Sequence, residues 1–191
     1  MKYKEVEVRF LEIDKEKLIK KLQKLKAEDK GSSLLKETVF YDNAEKFRNE
    51  NRFIRIRENE EGSVLTYKSF NSKEGNPSKI EDVDEVETKI DNAEAMGVFL
   101  EKIGFKAFRQ QEKRRHSFIL NKVLVEIDEW PSIPVYVEIE GQHEDELKNT
   151  AEVLGLDWKN AYYGSAKNAI ENIYNVPVSG YRYFTFNRVG N

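Results

Sequence analysis

Short runs in which every second residue is charged recur along this chain, and they constrain its fold more than any other feature. In "KYKEVEVRF" (2–10), Val6, Val8 and Phe10 alternate with Glu5, Glu7 and Arg9, so an extended strand has one apolar and one ionic face. The pattern returns with Arg55 and Arg57 in "FIRIRE", Thr66 and Lys68 in "VLTYK", and Glu85 and Glu87 in "DEVET". It returns again with Lys113 and Arg115 in "QEKRRHSF", Glu126 and Asp128 in "VEID", and Glu138 and Glu140 in "VEIE". Seven strands therefore share one design.

If those strands form one antiparallel sheet, amphipathic helices must cover its apolar face. Candidates lie at 14–26, opened by Asp14, and at 91–103, where Asp91 and Glu94 resemble a capping box and Met96, Phe99, Leu100 and Ile103 form a stripe. Two more lie in "EDELKNTAEVLGLDW" and "SAKNAIENIY". "NEEG" and Asn121-Lys122 read as hairpin turns, and "NSKEGNPSK" (71–79) as a loop. A sheet curled with its charged face inward would be a polar-lined barrel. The expectation is one α+β domain over 1–175, with an aromatic tail, 176–191, that the pattern does not place.

Composition excludes several functions. Charged residues make up 35% of the chain, yet 32 basic and 35 acidic side chains leave a net charge of only -3, unlike a general nucleic-acid binder. Cysteine is absent and there are two histidines, which removes thiolate chemistry, disulfides and cysteine-ligated zinc. No apolar run is long enough to span a membrane, and the N-terminus lacks a signal-peptide layout. The expectation is a soluble cytoplasmic protein with no nucleic-acid or membrane partner; a homodimer is left open.

Like charges two apart on a strand lie about 7 Å from each other and repel unless a counter-ion is shared. Repeated carboxylate pairs point to a hard cation, Mg²⁺ or Mn²⁺, which keeps waters and bridges to phosphate. Repeated Arg and Lys pairs point to a polyanion. Cation and basic clamp together suit phosphoryl chemistry.

In this order the motifs resemble the CYTH superfamily, the triphosphate tunnel metalloenzymes, whose hallmark Glu-x-Glu-x-Lys is similar to Glu5-Val6-Glu7-Val8-Arg9; the likeness runs from about residue 3 to 141. The resemblance implies an eight-stranded antiparallel β-barrel, a tunnel whose charged lumen holds a triphosphate and a divalent metal, with helices outside. It implies metal binding by Glu5, Glu7, Glu138 and Glu140, with Glu85 and Glu87 supporting a second metal or orienting the bases. Arg9, Arg55, Arg57, Lys68, Lys113 and Arg115 would clamp the triphosphate. Lys68 and Asp128 are the implied catalytic residues, Asp128 as metal ligand or base. Glu126 is lumenal by parity alone.

Two departures stand out. Arg9 replaces the family's Lys, and the Tyr that helps activate water in thiamine triphosphatase-like members aligns with Phe40, with Tyr41 one residue later and facing away. His116 has the wrong parity for the lumen, His143 reads as surface, and Trp130 reads as part of a rigid connector with Pro131 and Pro134. Hydrolysis of tripolyphosphate or an organic triphosphate such as thiamine triphosphate is the first expectation. Cyclisation of ATP, as in class IV adenylate cyclases, is the second, and a non-catalytic polyphosphate- or nucleotide-binding module the third.

Overall fold

A computed structural model describes residues 6–70 and 83–191. Glu5 and the expected loop at 71–79 lie outside the described residues.

Eight longer strands carry the fold: β1 (Val6–Phe10), β2 (Glu28–Asp42), β3 (Arg52–Asn59), β4 (Gly62–Phe70), β5 (Val83–Ile90), β6 (Phe105–Leu120), β7 (Val123–Glu129) and β8 (Tyr136–Gly141). They join in the order β5-β4-β3-β2-β6-β7-β8-β1, each pairing antiparallel. The two-residue strand β9 (Ala161–Tyr162) pairs with the outer edge of β1. Among the described residues no ladder joins β1 to β5, so the eight strands form a sheet that these pairings do not close into the expected barrel, and β9 pairs with the edge of β1 at Arg9 and Phe10. The sheet nevertheless curls, since Glu7 and Arg9 of β1 line one cavity with Lys68, Glu85 and Glu87 of β4 and β5.

Alternation sets the two faces. Outside, Val8, Val125, Val137, Ile139 and Phe118 are fully buried beneath α1 (Lys15–Lys24), through Leu18 and Leu22, and α4 (Glu144–Leu154), through Leu147, Ala151 and Leu154. Asp14 accepts a hydrogen bond from the Lys17 amide and caps α1 as expected. The short helix α2 (Lys46–Asn49) precedes β3. Helix α3 (Ala93–Lys102) lies over β2 and β3 through Leu100, packed with Phe40 and Ile56. Its cap is Asn92 rather than Asp91, and Phe99 and Ile103 are more than half exposed, so the expected stripe is narrower than its sequence. Asn121 and Lys122 both adopt positive φ, which matches the strand twist in a two-residue hairpin between β6 and β7. No helix among the described residues is long and apolar enough to cross a membrane.

The last third closes one end of the curl. Helix α5 (Ala166–Asn168) runs into a wider turn over 169–173, and strands β10 (Tyr183–Phe184) and β11 (Val189–Gly190) follow. Strand β10 pairs in parallel with Gln110 and Gln111 of β6. Phe184, wholly buried, joins Trp130, Tyr136, Ile170 and Val178 in an apolar cluster on the inner side.

Candidate active site

Odd-numbered residues of β1, β2, β3, β5 and β6, and even-numbered residues of β4, β7 and β8, turn into a cavity of about 740 Å³. It is lined by ionic side chains from every long strand, β7 contributing Glu126, while Asp128 of the same strand lies wholly buried behind the wall. Such a volume is typical of a small-molecule site.

Acidic groups meet at one place. Strand pairing sets Glu7 opposite Glu140 and Arg9 opposite Glu138, and one carboxylate oxygen each from Glu7, Glu138 and Glu140 lies within 4.8 Å of the others. Between them sits Arg9, its guanidinium 2.9 Å from Glu7 and 2.6 Å from Glu138, with a further hydrogen bond of 2.6 Å to the Gly164 carbonyl. Burial and the neighbouring Glu7 hold the Glu138 carboxyl above its ordinary range against the pull of Arg9. Glu7 itself, despite burial, is drawn down to about 2 by Arg9 and Lys68. Three hard carboxylates at this spacing, with no nitrogen or sulfur ligand, fit a Mg²⁺- or Mn²⁺-type ion.

The bases line the rest. Asp128 binds Lys113 at 2.9 Å and Arg115 through two bonds of 2.6 Å, and accepts a bond of 3.3 Å from the Tyr136 hydroxyl. Although burial opposes ionisation, these two cations hold its carboxyl far below the usual carboxylate range. Arg115 also pairs with Glu126 and approaches Glu138 at 3.9 Å. On the opposite wall Arg57 pairs with Glu87 at 2.9 Å and Lys68 with Glu85 at 3.0 Å. Arg55 reaches Glu37 at 3.2 Å and lies 3.8 and 3.7 Å from Glu85 and Glu87. Burial lowers the affinity of Lys113 and Arg57 for their protons, with a like charge beside each adding to the effect. Lys68 goes the other way because Glu7 and Glu85 outweigh its burial.

Of the described residues expected in the site, Glu7, Arg9, Arg55, Arg57, Lys68, Glu85, Glu87, Lys113, Arg115, Glu126, Glu138 and Glu140 line one cavity, whereas Asp128 lies behind its wall. Glu85 and Glu87 stand with Lys68 and Arg57, apart from the three clustered carboxylates. Several others were missed. Glu37 is 3% exposed, bonded to Gln111 at 2.6 Å, and held at about 2 by Arg55 and Lys113 against the effect of burial. Arg109 and Gln111 continue the lumenal parity of Lys113 and Arg115, which was the available signal. Tyr41, not Phe40, lies on the cavity wall: from Glu37 to Tyr41 β2 keeps its alternation, the extra residue opposite Val39/Phe40 falls in β6, and Phe40 packs beneath α3. Trp130 is more than a connector, since its indole donates to the Tyr136 hydroxyl at 2.8 Å and Lys113 lies over its ring at 5.3 Å. His116 stays outside as expected, against Phe118 and 2.7 Å from Asp29.

Comparison with known proteins agrees with this geometry. A protein of Methanocaldococcus jannaschii provisionally named as an adenylate cyclase is 28% identical over 141 residues, covering 71% of this chain and 75% of that one. A conserved protein of Pyrococcus furiosus superposes with a TM-score of 0.68 at 22% identity, over 85% of this chain and 97% of its own. A Hippeastrum protein, first named as an adenylyl cyclase and described as having a dominant triphosphatase activity, gives 0.62 at 19%, over 88% and 94%. The CYTH domain matches residues 3–174, so the chain belongs to the CYTH domain family.

Proposed function

We propose that this protein is a divalent-metal-dependent enzyme that hydrolyses a triphosphate held in the lumen, with tripolyphosphate as the simplest substrate. The observation that carries the reading is the convergence of Glu7, Glu138 and Glu140 in the same cavity as Arg55, Arg57, Lys113 and Arg115. Ion pairs within the lumen hold several of these groups: Glu138 with Arg9 and Arg115, Arg57 with Glu87, and Lys113 with Asp128. A cation and a polyanion entering together would exchange those pairs, carboxylates turning to the cation and guanidinium groups to phosphoryl oxygens.

Glu7, Glu138 and Glu140 would hold the metal, with Glu5 as a further ligand from the resemblance. When bound, the metal would polarise phosphoryl oxygens and supply a water acidic enough to attack. Arg55, Arg57, Lys113 and Arg115 orient the chain and stabilise charge on the transferring group. Lys68, beside Glu85 and drawn toward Glu7, stays protonated and adds to the clamp.

A cyclase needs a base beside the ribose 3′-hydroxyl. Asp128 serves poorly, because it is wholly buried, bonded to two cations and far from basic. We assign it to positioning Lys113 and Arg115. The Hippeastrum protein's described triphosphatase activity supports hydrolysis, and the adenylate cyclase name of the Methanocaldococcus relative keeps ATP cyclisation as the alternative. A panel of tripolyphosphate, ATP and thiamine triphosphate with Mg²⁺ or Mn²⁺, read out as phosphate, pyrophosphate and cyclic AMP, tests it. Phosphate release without cyclic AMP supports the proposal, whereas cyclic AMP and pyrophosphate from ATP would overturn it.

A further inference from the structure

Asp128 holds Lys113 and Arg115, and a chain of two aromatic side chains ends on the same carboxylate. Pairing of β7 with β8 sets Tyr136 opposite Asp128, and Trp130 follows Asp128 by two residues. Both rings line the cavity and both are buried. The Trp130 indole donates to the Tyr136 hydroxyl at 2.8 Å, and that hydroxyl donates to Asp128 at 3.3 Å. Chemistry fixes this direction. An indole N–H can only donate, so the hydroxyl accepts from it and keeps its single proton for the carboxylate. Burial, with Asp128 and Glu138 adding to it, holds that proton well beyond the ordinary tyrosine range. The Asp128 oxygen it reaches also takes Lys113 and one of the two Arg115 bonds.

Trp130 touches the clamp in a second way. The Lys113 ammonium lies 5.3 Å from the centre of its ring, within the range of a cation–π contact. The same ring is stacked on Phe184 at 6.0 Å. Phe184 is wholly buried, and its backbone pairs with Gln111 of β6, two residues before Lys113. It belongs to the segment that lies beyond residues 3–174, the part matched to the family. Pro131 and Pro134, with Ser132 at a φ of 63°, already make a stiff turn between β7 and β8. A turn alone has no use for an indole bonded to a buried hydroxyl beneath a lumenal cation.

We propose that Trp130 is a positioning residue that links the C-terminal segment to the anion clamp. Pinned by Phe184, it carries Lys113 over its ring and, through the Tyr136 hydroxyl, holds Asp128 against Lys113 and Arg115. The inference rests on the triphosphate reading above, since the clamp it orders is the one assigned there to the substrate. Trp130 itself bonds no phosphate. It acts by keeping two cations aimed before the anion arrives, so less ordering remains to be done on binding.

The test is calorimetric titration of the whole chain with tripolyphosphate, in chelator so that nothing is turned over. Trp130→Phe keeps a ring but deletes the donor, and should bind about fivefold more weakly than the wild type. The same change made in Tyr136→Phe should cost less than about twofold more, because the N–H acts only through that hydroxyl. Phe184→Leu, which removes the stacked ring, should weaken binding by about threefold. A second readout uses the native Trp130, one of two tryptophans; the other, Trp158, packs on Phe10 in the outer core. In Trp158→Phe, tripolyphosphate should change the Trp130 emission as the ammonium turns from the ring to phosphoryl oxygens. Adding Lys113→Met should abolish that change. A tryptophan that only fills the wall would alter stability and leave these readouts unmoved. Affinity of Trp130→Phe within about twofold of the wild type, full additivity with Tyr136→Phe, or an emission response that is absent or survives Lys113→Met overturns the inference and leaves the triphosphate reading standing. Failure of the wild type to bind tripolyphosphate overturns both.

Discussion

Replacing Glu37 with Gln tests the electrostatic account of the lumen. Glu37 is buried, is held at about 2 by Arg55 and Lys113, and shares its second oxygen with Gln111. A carboxyl at about 2 instead of the ordinary 4.5 binds its proton less well by about 3 kcal/mol. Removing one partner of a buried pair costs a similar ~3–5 kcal/mol. In a chain of this size each kcal/mol moves the melting temperature by roughly 2–4 °C, so Glu37→Gln should melt about 6–12 °C lower at pH 7. The loss arises from bases left without a counter-ion, so a polyanion should replace part of it. Saturating tripolyphosphate should therefore raise the melting temperature of Glu37→Gln by more than it raises that of the wild type. Circular dichroism melts with and without tripolyphosphate read both effects. A drop below about 2 °C, or equal stabilisation of the two proteins, would refute the reasoning.

Three further outcomes follow from the same geometry. Glu138→Gln keeps the shape but removes a negative metal ligand, so metal-dependent turnover should fall by orders of magnitude with folding retained; an unchanged rate at saturating Mg²⁺ would remove Glu138 from the site. Asp128→Asn should raise KM for tripolyphosphate more than it lowers kcat, because Lys113 and Arg115 lose the group that orients them, and a pure kcat defect would restore Asp128 as a base. Glu7 and Glu37 are depressed to about 2 in the folded chain, so their stabilisation is complete above about 4.5 and is lost as pH falls toward 2; urea titrations in chelator should show stability declining across that window, and a flat profile would contradict the assignments.

Much of this was legible because a strand's side-chain period leaves little freedom. Glu7, Arg9, Glu138 and Glu140 each had a charged or apolar neighbour of the right parity, and neither pair turns into the helix layer. Glu37 was harder to see, since Val39 and Tyr41 share its face and break the charged alternation. Arg109 and Gln111 were on the right parity but lay outside any motif. The tail carried no period at all. Its strand β10 spans two residues and borrows its register from β6 through parallel pairing, a long-range choice that no local pattern specifies. The exposed Phe99 and Ile103 show the converse, an apolar stripe wider than the face that α3 buries.

The central claim is that a metal held by Glu7, Glu138 and Glu140 and a triphosphate held by the opposing bases react with water in one lumen. Its most direct measurement is orthophosphate release from tripolyphosphate against Mg²⁺ or Mn²⁺ concentration, for the wild type and Glu138→Gln. The account predicts release that requires the metal and is nearly abolished in Glu138→Gln, while that protein still melts cooperatively. Release that persists in chelator, or no release from the wild type with either metal, would contradict it.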